Sequence, residues 1–319
     1  MEALTSKVIE NKIFENYIEY ANLFTEFQSK FLEGLFSRYQ SIENGNLVLY
    51  YAKETHQDIL RQKDFNLSFN LGLEKFWENH SKIKLDKKPL IKIADDTFLP
   101  KETVRRKILQ LTKQNVINKV NKRICWAPNE LYKQNYNLFI EKEIQDVVKL
   151  ISFVCKKLNY SISSEELTRE IKDKFSFYWF HYLDVQLNYL KIWTKQLKDL
   201  ELLFISIQVA SLFNLKAKKK NLSHKNINNN PGLIKDLISA SVSATSISEV
   251  TDIPRATCIR KLETLVKMKM ISQDKISKRY YLIPESITEN VISKKVTINV
   301  IKIFSDFFFI CIRAISLKT

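Results

Sequence analysis

The sequence LPKETVRRKI at residues 99–108 recurs in altered form as IPRATCIRKL at residues 253–262, a shift of 154 residues. Proline, threonine, arginine and lysine coincide in register between the two stretches. Each proline suits the first turn of a helix, where no backbone N–H is needed, and apolar residues then recur at helical spacing. These residues are Val104, Ile108 and Leu111 in the first copy, and Cys258, Leu262 and Leu265 in the second. Each stretch is therefore predicted to form an amphipathic helix with one buried stripe.

The residues on either side of the two predicted helices also correspond. Upstream, short helical stretches at 89–95 and 246–252 are separated from the amphipathic helices by only a few residues. Downstream, the apolar pairs at 116–117 and 270–271 begin a strand, and a polar turn leads to a second β-prone run. A helix-turn-helix followed by such a hairpin, or wing, presents its second helix to the major groove of DNA. The fold class predicted is mainly α with small β-hairpin wings, with two winged helix-turn-helix modules in an internally duplicated helical chain.

Residues 246–282 resemble the winged helix-turn-helix of IclR-type bacterial regulators, and residues 90–127 resemble a second copy. In that family a Leu-Pro-Lys/Arg-Ser-Thr stretch opens the recognition helix, whose polar residues reach DNA. The family's usual glycine between the two helices is replaced here by Phe98 and Asp252. The resemblance covers about 90 of the 319 residues and does not extend to the family's effector-binding domain. It implies two DNA-binding modules and leaves any small-molecule effector unknown.

The candidate DNA-binding residues are polar residues of the two recognition helices and of the wings. Arginine can read guanine edges and lysine can hold phosphates, and a basic hairpin beside the helix reaches neighbouring phosphates or the minor groove. The expected set is Lys101, Thr103, Arg105, Arg106, Lys107, Lys122 and Arg123 in the first module, and Arg255, Thr257, Arg260, Lys261, Lys278 and Arg279 in the second. The alternative for each is an ordinary charged helix face or turn. Trp126, Tyr280 and Tyr281 are expected in the core rather than as stacking platforms for single-stranded nucleic acid.

The charge of the chain is unevenly distributed. Lys and Arg number 51 against 35 Asp and Glu, a formal charge of +16. Residues 1–80 carry a net charge of −4, whereas residues 81–128 carry +9 and residues 231–284 carry +4. A lysine-rich composition of the kind that an AT-rich genome produces would not by itself place an acidic segment beside a strongly basic one. Residues 181–230, outside the modules, carry +5. Because both modules are among the basic segments, double-stranded DNA is the expected partner.

Several classes of enzyme are excluded by what the sequence lacks. The chain has four glycines, each isolated, so the closely spaced glycines of Rossmann sites, P-loops and nucleophile elbows are absent. The four cysteines and four histidines show no zinc-ligand spacing. No acid/base pair or nucleophile motif can be assembled from neighbouring residues. The sequence predicts a protein that is not an enzyme and that uses no cofactor or metal.

The cysteines and the apolar runs bear on location. Scattered cysteines without a signal peptide fit a reducing cytosol, so a cytoplasmic, nucleoid-associated protein with free and mostly buried thiols is expected. The longest uncharged apolar run, Leu202 to Leu215, is shorter than a bilayer span and is predicted to be a buried helix. No membrane partner is expected.

The segments outside the modules are predicted to be helical. An aromatic seam with alternating spacings of four and three would pair with another helix, either within the chain or in a homodimer; it consists of Ile13, Tyr17, Tyr20, Phe24, Phe27 and Phe31. The predicted domains are an N-terminal helical region (1–80), the first winged helix-turn-helix (81–128), a helical connector (129–215), a basic Asn-rich linker (216–230), the second winged helix-turn-helix (231–284) and a C-terminal helix (285–319).

Three functions fit this organisation. The first is a sequence-specific transcriptional regulator that binds double-stranded DNA through both modules. The second is a replication initiator of the plasmid or phage type that binds iterated DNA repeats, since plasmid initiators also carry tandem winged helices. The third is an interaction scaffold whose winged helices bind protein.

Overall fold

The computed structural model of the chain describes residues 3–67, 69–83, 89–120, 123–219, 238–282 and 291–317. Within these residues the protein is mainly α-helical, as predicted, with two short antiparallel sheets of two strands each. In chain order the elements are α1 (Ser6–Glu15), α2 (Tyr17–Tyr39), α3 (Ile42–Phe65), α4 (Phe76–Lys82), α5 (Leu90–Thr97), α6 (Lys101–Lys113), β1 (Asn118–Val120), β2 (Arg123–Cys125), α7 (Glu130–Lys157), α8 (Ser164–Asp173), α9 (Phe175–Leu197), α10 (Leu200–Lys219), α11 (Ala244–Thr251), α12 (Arg255–Lys267), β3 (Ser272–Gln273), β4 (Tyr280–Tyr281) and α13 (Val291–Ser316).

The chain folds into two compact units, and each unit takes residues from both halves of the sequence. Unit 1 comprises Met1–Glu15, Glu43–Ile192 and Ile301–Thr319, and unit 2 comprises Asn16–Ile42 and Trp193–Val300. The units are therefore not the linear segments expected from the sequence. In particular, the 1–80 region contributes to both units, and α5, α6, β1 and β2 lie in unit 1 whereas α11, α12, β3 and β4 lie in unit 2. Most of the predicted linker, residues 220–230, lies outside the described residues.

An aromatic cluster fixes the base of the first hairpin in unit 1. Trp126 directly follows β2 and is buried, with its ring centroid 5.4 Å from that of Tyr136 and 5.9 Å from that of Phe76. Phe76 also stacks on His56 at 4.8 Å. The prediction that Trp126 belongs to the core is confirmed, because a side chain in this position anchors β2 and is closed to a nucleic-acid base.

Helix α10 is the central helix of unit 2. It packs against α2, α11, α12 and β4, and the Ser29 hydroxyl of α2 donates a hydrogen bond to the Gln208 side-chain carbonyl of α10 at 3.0 Å. By length and composition α10 could cross a membrane, but 56% of its apolar stretch is buried within the protein. The buried helix predicted over Leu202 to Leu215 is therefore present.

The aromatic seam predicted near the N-terminus does not form one continuous helix. Helix α1 ends at Glu15 and α2 begins at Tyr17, so Ile13 belongs to unit 1 and the rest of the seam to unit 2. Phe27 and Phe31 are buried in α2, which packs on α10. A homodimer would consequently need a surface other than these two side chains.

The helix pairs of the two units match in length at the 154-residue shift. Helices α5 and α11 each have 8 residues, and α6 and α12 each have 13. The turn between the helices contains a left-handed residue in both units, Phe98 with φ 57° and Asp252 with φ 54°. A second pair follows the second helix, Asn115 with φ 54° and Lys269 with φ 56°. Residues other than glycine thus adopt the backbone conformation that glycine usually supplies.

Candidate nucleic-acid interface

A proline positions the start of α6 and of α12. Pro100 and Pro254 lie immediately before these helices, and their carbonyl oxygens accept the first helical hydrogen bonds, at 2.9 Å from the Val104 N–H and 3.0 Å from the Cys258 N–H. The predicted apolar stripes are buried: Val104, Ile108 and Leu111 in α6, and Cys258, Leu262 and Leu265 in α12. Because the stripes face inward, the opposite side of each helix faces solvent.

Three of the predicted residues on α6 are exposed cations. Lys101, Arg105 and Arg106 are exposed, and Thr103 is half-buried. The Arg105 guanidinium lies 3.8 Å from the Glu102 carboxylate, with side chains 68% and 82% exposed. An ion pair this exposed contributes little to stability. Arg105 can therefore leave Glu102 for a phosphate or a base edge without a significant loss of stability.

Two lysines of the predicted set are held by carboxylates. The Lys261 ammonium lies 2.6 Å from Asp199 and 2.8 Å from Glu201, and its side chain is only 11% exposed. Burial lowers the pKa of Lys261, but the two carboxylates outweigh burial and raise it overall. Lys107 lies 3.6 Å from Glu43, with its side chain 14% exposed. Lys261 thus fastens α12 to the start of α10 between two carboxylates, and Lys107 fastens α6 to the start of α3 through one carboxylate. Both ion pairs compete with the DNA contact predicted for these lysines.

Helix α12 presents two arginines to solvent. Arg255 and Arg260 are exposed, and Thr257 is half-buried. The Arg255 guanidinium donates a hydrogen bond to the Thr245 hydroxyl of α11 at 3.1 Å. This contact ties the guanidinium of Arg255, the first residue of α12, to α11.

The exposed faces of α6 and α12 differ at two matched positions. Where α6 has Glu102 and Arg105, α12 has Ala256 and Ile259. Ala256 is exposed and Ile259 is partly exposed. One helix therefore offers hydrogen-bonding groups at these positions, and the other offers apolar groups of the kind that contact the thymine methyl group.

Backbone hydrogen bonds hold the base of the unit 2 hairpin in place. Strands β3 and β4 pair Ser272 with Tyr281 and Gln273 with Tyr280. Tyr280 also exchanges two backbone hydrogen bonds of 2.8 Å with Val242, which precedes α11. Both tyrosines are buried, so their expected place in the core is confirmed. The connection between β3 and β4 carries Lys278 and Arg279, and both are exposed.

The structure describes the two strands of the unit 1 hairpin. Strands β1 and β2 pair Asn118 with Cys125 and Val120 with Arg123. Lys122 lies outside the described residues, as does the side chain of Arg123. These two predicted wing residues therefore have no described side-chain position.

Two exposed residues outside the predicted set lie close in sequence to Lys278 and Arg279. Lys275 and Ile276 are exposed in the connection between β3 and β4. The only sequence signal for Ile276 is an apolar residue inside an otherwise polar turn, DKISKR at 274–279. Periodicity cannot identify such a position because a turn has no helical or strand repeat.

The titratable residues of the described segments form no metal centre. Among these segments, no three His, Cys, Asp or Glu side chains are grouped as metal ligands. All four cysteines are buried free thiols, as expected, and burial raises the pKa of Cys155 to about 11. A thiol with such a pKa is a poor nucleophile at neutral pH.

Comparisons with known proteins identify no relative. No family model matches the chain, and no curated protein or solved structure is significantly similar to it.

Proposed function

We propose that the protein is a cytoplasmic, sequence-specific transcriptional regulator that binds double-stranded DNA through two winged helix-turn-helix modules. The first module comprises α5, α6, β1 and β2, and the second comprises α11, α12, β3 and β4. The observation that carries the proposal is that α6 and α12 both bury an apolar stripe and expose arginines at matched positions, Arg106 and Arg260. Two solvent-facing helices of this kind suit two major grooves.

The proposal that the modules are copies of one unit is supported by details of their packing. Lys107 and Lys261 are separated by the repeat shift, and each pairs with a carboxylate at the start of the long helix that precedes its own module. The left-handed residues Phe98 and Asp252 are separated by the same shift. Neither feature is needed for DNA contact, so both favour common ancestry of the two modules over independent basic helices.

Two modules in one chain gain affinity by linkage. Once one recognition helix is bound, the other searches a small volume, which raises its effective concentration. The expected target is a site with two half-sites, each contacted by one module. Because the recognition helices differ in sequence, the half-sites are expected to differ as well.

Salt-dependent binding tests the proposal. A duplex is selected from a random library with the full-length protein, and its affinity is measured over a range of salt concentrations. Each neutralised phosphate should add about one unit to the slope of log affinity against log salt. Arg105→Ala/Arg106→Ala and Arg255→Ala/Arg260→Ala should each weaken binding and reduce the slope, and the combined variant should bind only non-specifically.

The matched control removes two exposed lysines outside the modules, Lys294 and Lys295 of α13. Their replacement by alanine removes the same charge and should leave specific affinity unchanged. An affinity independent of salt, or specific binding that survives all four arginine substitutions, would contradict the proposal. Absence of duplex binding at low salt would favour a protein-binding scaffold.

A replication initiator is the second candidate function. Two joined modules can cover one unit of a DNA repeat, so several chains could occupy an iterated array. The unlike faces of α6 and α12 suit such a directional repeat, because a chain with two different modules binds in one orientation. Mapping of bound DNA across the genome separates the functions: sites at promoters support the regulator, and a single array of repeats supports the initiator.

A further inference from the structure

The connection between β3 and β4 is a closed, hydrogen-bonded turn. The Asp274 N–H donates to the Arg279 carbonyl at 2.8 Å, and the Asp274 carbonyl accepts from the Lys278 N–H at 3.0 Å. The Asp274 carboxylate accepts a third bond, from the Ser277 N–H at 2.6 Å. The Gln273 side-chain amide donates to the Lys278 carbonyl at 3.2 Å. These bonds order the backbone of the tip, which sets the point from which its side chains project.

Ile276 is the apolar side chain at this tip, and it is 93% exposed. Single exposed apolar residues are common on protein surfaces. Ile276 differs because it lies in a turn built by Asp and Ser hydrogen bonds, where polar residues are favoured, and because Lys275 and Lys278 beside it are exposed cations. With so little of its surface covered, Ile276 adds almost nothing to the stability of the fold.

The surroundings of Ile276 favour DNA as its partner. Lys278 and Arg279 lie next to the tip, and Tyr280 anchors the hairpin to Val242, which precedes α11. The tip and α12 are thereby parts of one unit. Proteins that bend DNA insert isoleucine and similar apolar side chains between base steps in the minor groove, with cations on the adjacent phosphates.

We propose that Ile276 is a wedge that enters the minor groove beside α12 and partly separates two stacked base pairs. This inference rests on the proposed DNA-binding function. Lys275, Lys278 and Arg279 would hold the phosphates on either side of the wedge. Since pyrimidine–purine steps such as TA unstack most readily, the wedge adds a preference for such a step at a position that no recognition helix touches.

The test measures bending of the duplex by the full-length protein. Dyes at the two ends of the duplex selected from a random library report the end-to-end distance by energy transfer. The wild-type protein should shorten this distance, and Ile276→Ala should abolish most of the shortening. Ile276→Ala should also bind about tenfold more weakly, because apolar contact with the bases is lost, with an unchanged salt slope because every phosphate contact remains.

The matched control is Ile298→Ala, which removes the same atoms from a partly exposed isoleucine of α13. It should leave the bend and the affinity unchanged. The melting temperature of Ile276→Ala should equal that of the wild-type protein, which separates a binding defect from unfolding.

The remaining outcomes separate the wedge from the proposed function. If wild-type protein binds the duplex and Ile276→Ala bends it equally, the wedge is overturned and DNA binding stands. If Ile276→Ala instead changes the sedimentation of the protein without changing the bend, Ile276 contacts a second copy and the wedge is again overturned. If the wild-type protein binds no duplex at all, the proposed function itself fails.

Discussion

Lys261 occupies a position at the border of the apolar stripe of α12. The preceding residue, Arg260, is exposed, whereas the Lys261 side chain points toward Asp199 and Glu201. Because successive residues of a helix are rotated by about 100°, one lysine or arginine can be exposed to solvent while the next pairs with carboxylates inside the unit. The phase of the helix follows from the buried stripe, but the carboxylate that meets Lys261 lies 62 residues away in the chain. Sequence periodicity therefore predicts that Arg260 is exposed, as the structure shows, but it does not reveal the environment of Lys261.

Substitution of Lys261 tests this assignment. Lys261→Met should lower the free energy of unfolding by about 1–2 kcal/mol, because two carboxylates lose their cation in a partly buried site. The salt slope of DNA binding should not change. Arg260→Met is the matched control and should do the reverse: the slope falls, and stability stays within about 0.5 kcal/mol. Urea unfolding and salt titration of both variants provide the measurement, and a reduced salt slope for Lys261→Met would show that Lys261 contacts DNA.

Asp252 provides a second prediction at the level of one residue. Its left-handed backbone, φ 54°, is strained for a residue with a Cβ, and glycine removes that strain. Burial raises the pKa of Glu33, and the charge of Asp252 raises it further, so loss of this charge also favours the folded state. Asp252→Gly should raise the free energy of unfolding by about 0.5–1 kcal/mol.

Asp252→Ala is the control for this prediction. Alanine removes the same charge but keeps the Cβ in the left-handed region, so it should destabilise the protein relative to Asp252→Gly. Thermal or urea unfolding of the two variants measures the difference. Equal stabilities would show that backbone strain at this turn is negligible.

At the scale of elements, the exposed faces of α6 and α12 predict unlike half-sites. Arg105 and Arg106 can contact guanine, and Glu102 can accept a hydrogen bond from cytosine N4. Ala256 and Ile259 can contact only apolar groups such as the thymine methyl. The site selected from a random library should therefore contain G·C pairs where Glu102 and Arg105 make contact in one half-site, and thymine where Ala256 and Ile259 make contact in the other.

Placing the α6 residues at the matched positions of α12 tests the assignment of half-sites. Ala256→Glu/Ile259→Arg should shift the second half-site toward the first, with discrimination of about 1–3 kcal/mol for each good base contact. Selection from the same library with the variant identifies the change. Two identical half-sites for the wild-type protein, or an unaltered site for the variant, would show that these positions do not read bases.

The elements of the candidate site follow largely from the sequence. The repeat and the prolines predict where α6 and α12 begin, because proline cannot continue a helix from the preceding turn. The aromatic seam is predicted less well. The apolar spacing continues across Asn16, although the helix is interrupted there. Periodicity indicates which face of a helix a residue lies on, but it does not indicate where the helix ends. The tip of the second hairpin has no periodicity, so Ile276 emerges only from the structure.

For the whole molecule, two buried histidines predict a dependence of stability on pH. Burial lowers the pKa of His56 from 6.5 to about 3 and that of His80 to about 4. In the folded protein both stay neutral, whereas in the unfolded chain they take up protons below about pH 6.5. Their contribution to stability is therefore complete above that pH and falls as pH decreases toward 4, by about 1.4 kcal/mol per pH unit for each histidine.

His80→Gln measures the share of one histidine. The Nε2 atom of His80 donates to the Trp126 carbonyl at 2.6 Å, and a glutamine amide can make a similar bond without titrating. Between pH 6 and 5 the variant should lose about 1.2 kcal/mol less stability than the wild-type protein. Burial also lowers the pKa of His181, but that contribution is common to both proteins. Urea unfolding followed by tryptophan emission provides the measurement, and equal pH slopes would contradict a neutral His80.

The composition of the two units could not be predicted from the sequence. An apolar stripe shows which side of a helix must be covered, but it does not show which other helix covers it. Helix α2 is close in sequence to α3, yet α2 belongs to unit 2 with α10, whereas most of α3 belongs to unit 1. Which helices pack together depends on complementary surfaces that are far apart in sequence. The hydrogen bond between Ser29 of α2 and Gln208 of α10 is an example.

The interleaving of segments in the two units sets the order in which the protein can fold on the ribosome. Unit 1 includes residues 301–319, which are synthesised long after its central segment 43–192, and unit 2 combines residues 16–42 with residues 193–300. Domains normally fold as units in the order of synthesis. Here neither unit is complete when the first half of the chain has emerged, so α2 must wait for α10 with its aromatic face uncovered. A nascent chain of this design presents apolar surface for most of its synthesis, and it is therefore expected to depend on chaperones that bind such surfaces until translation is nearly finished.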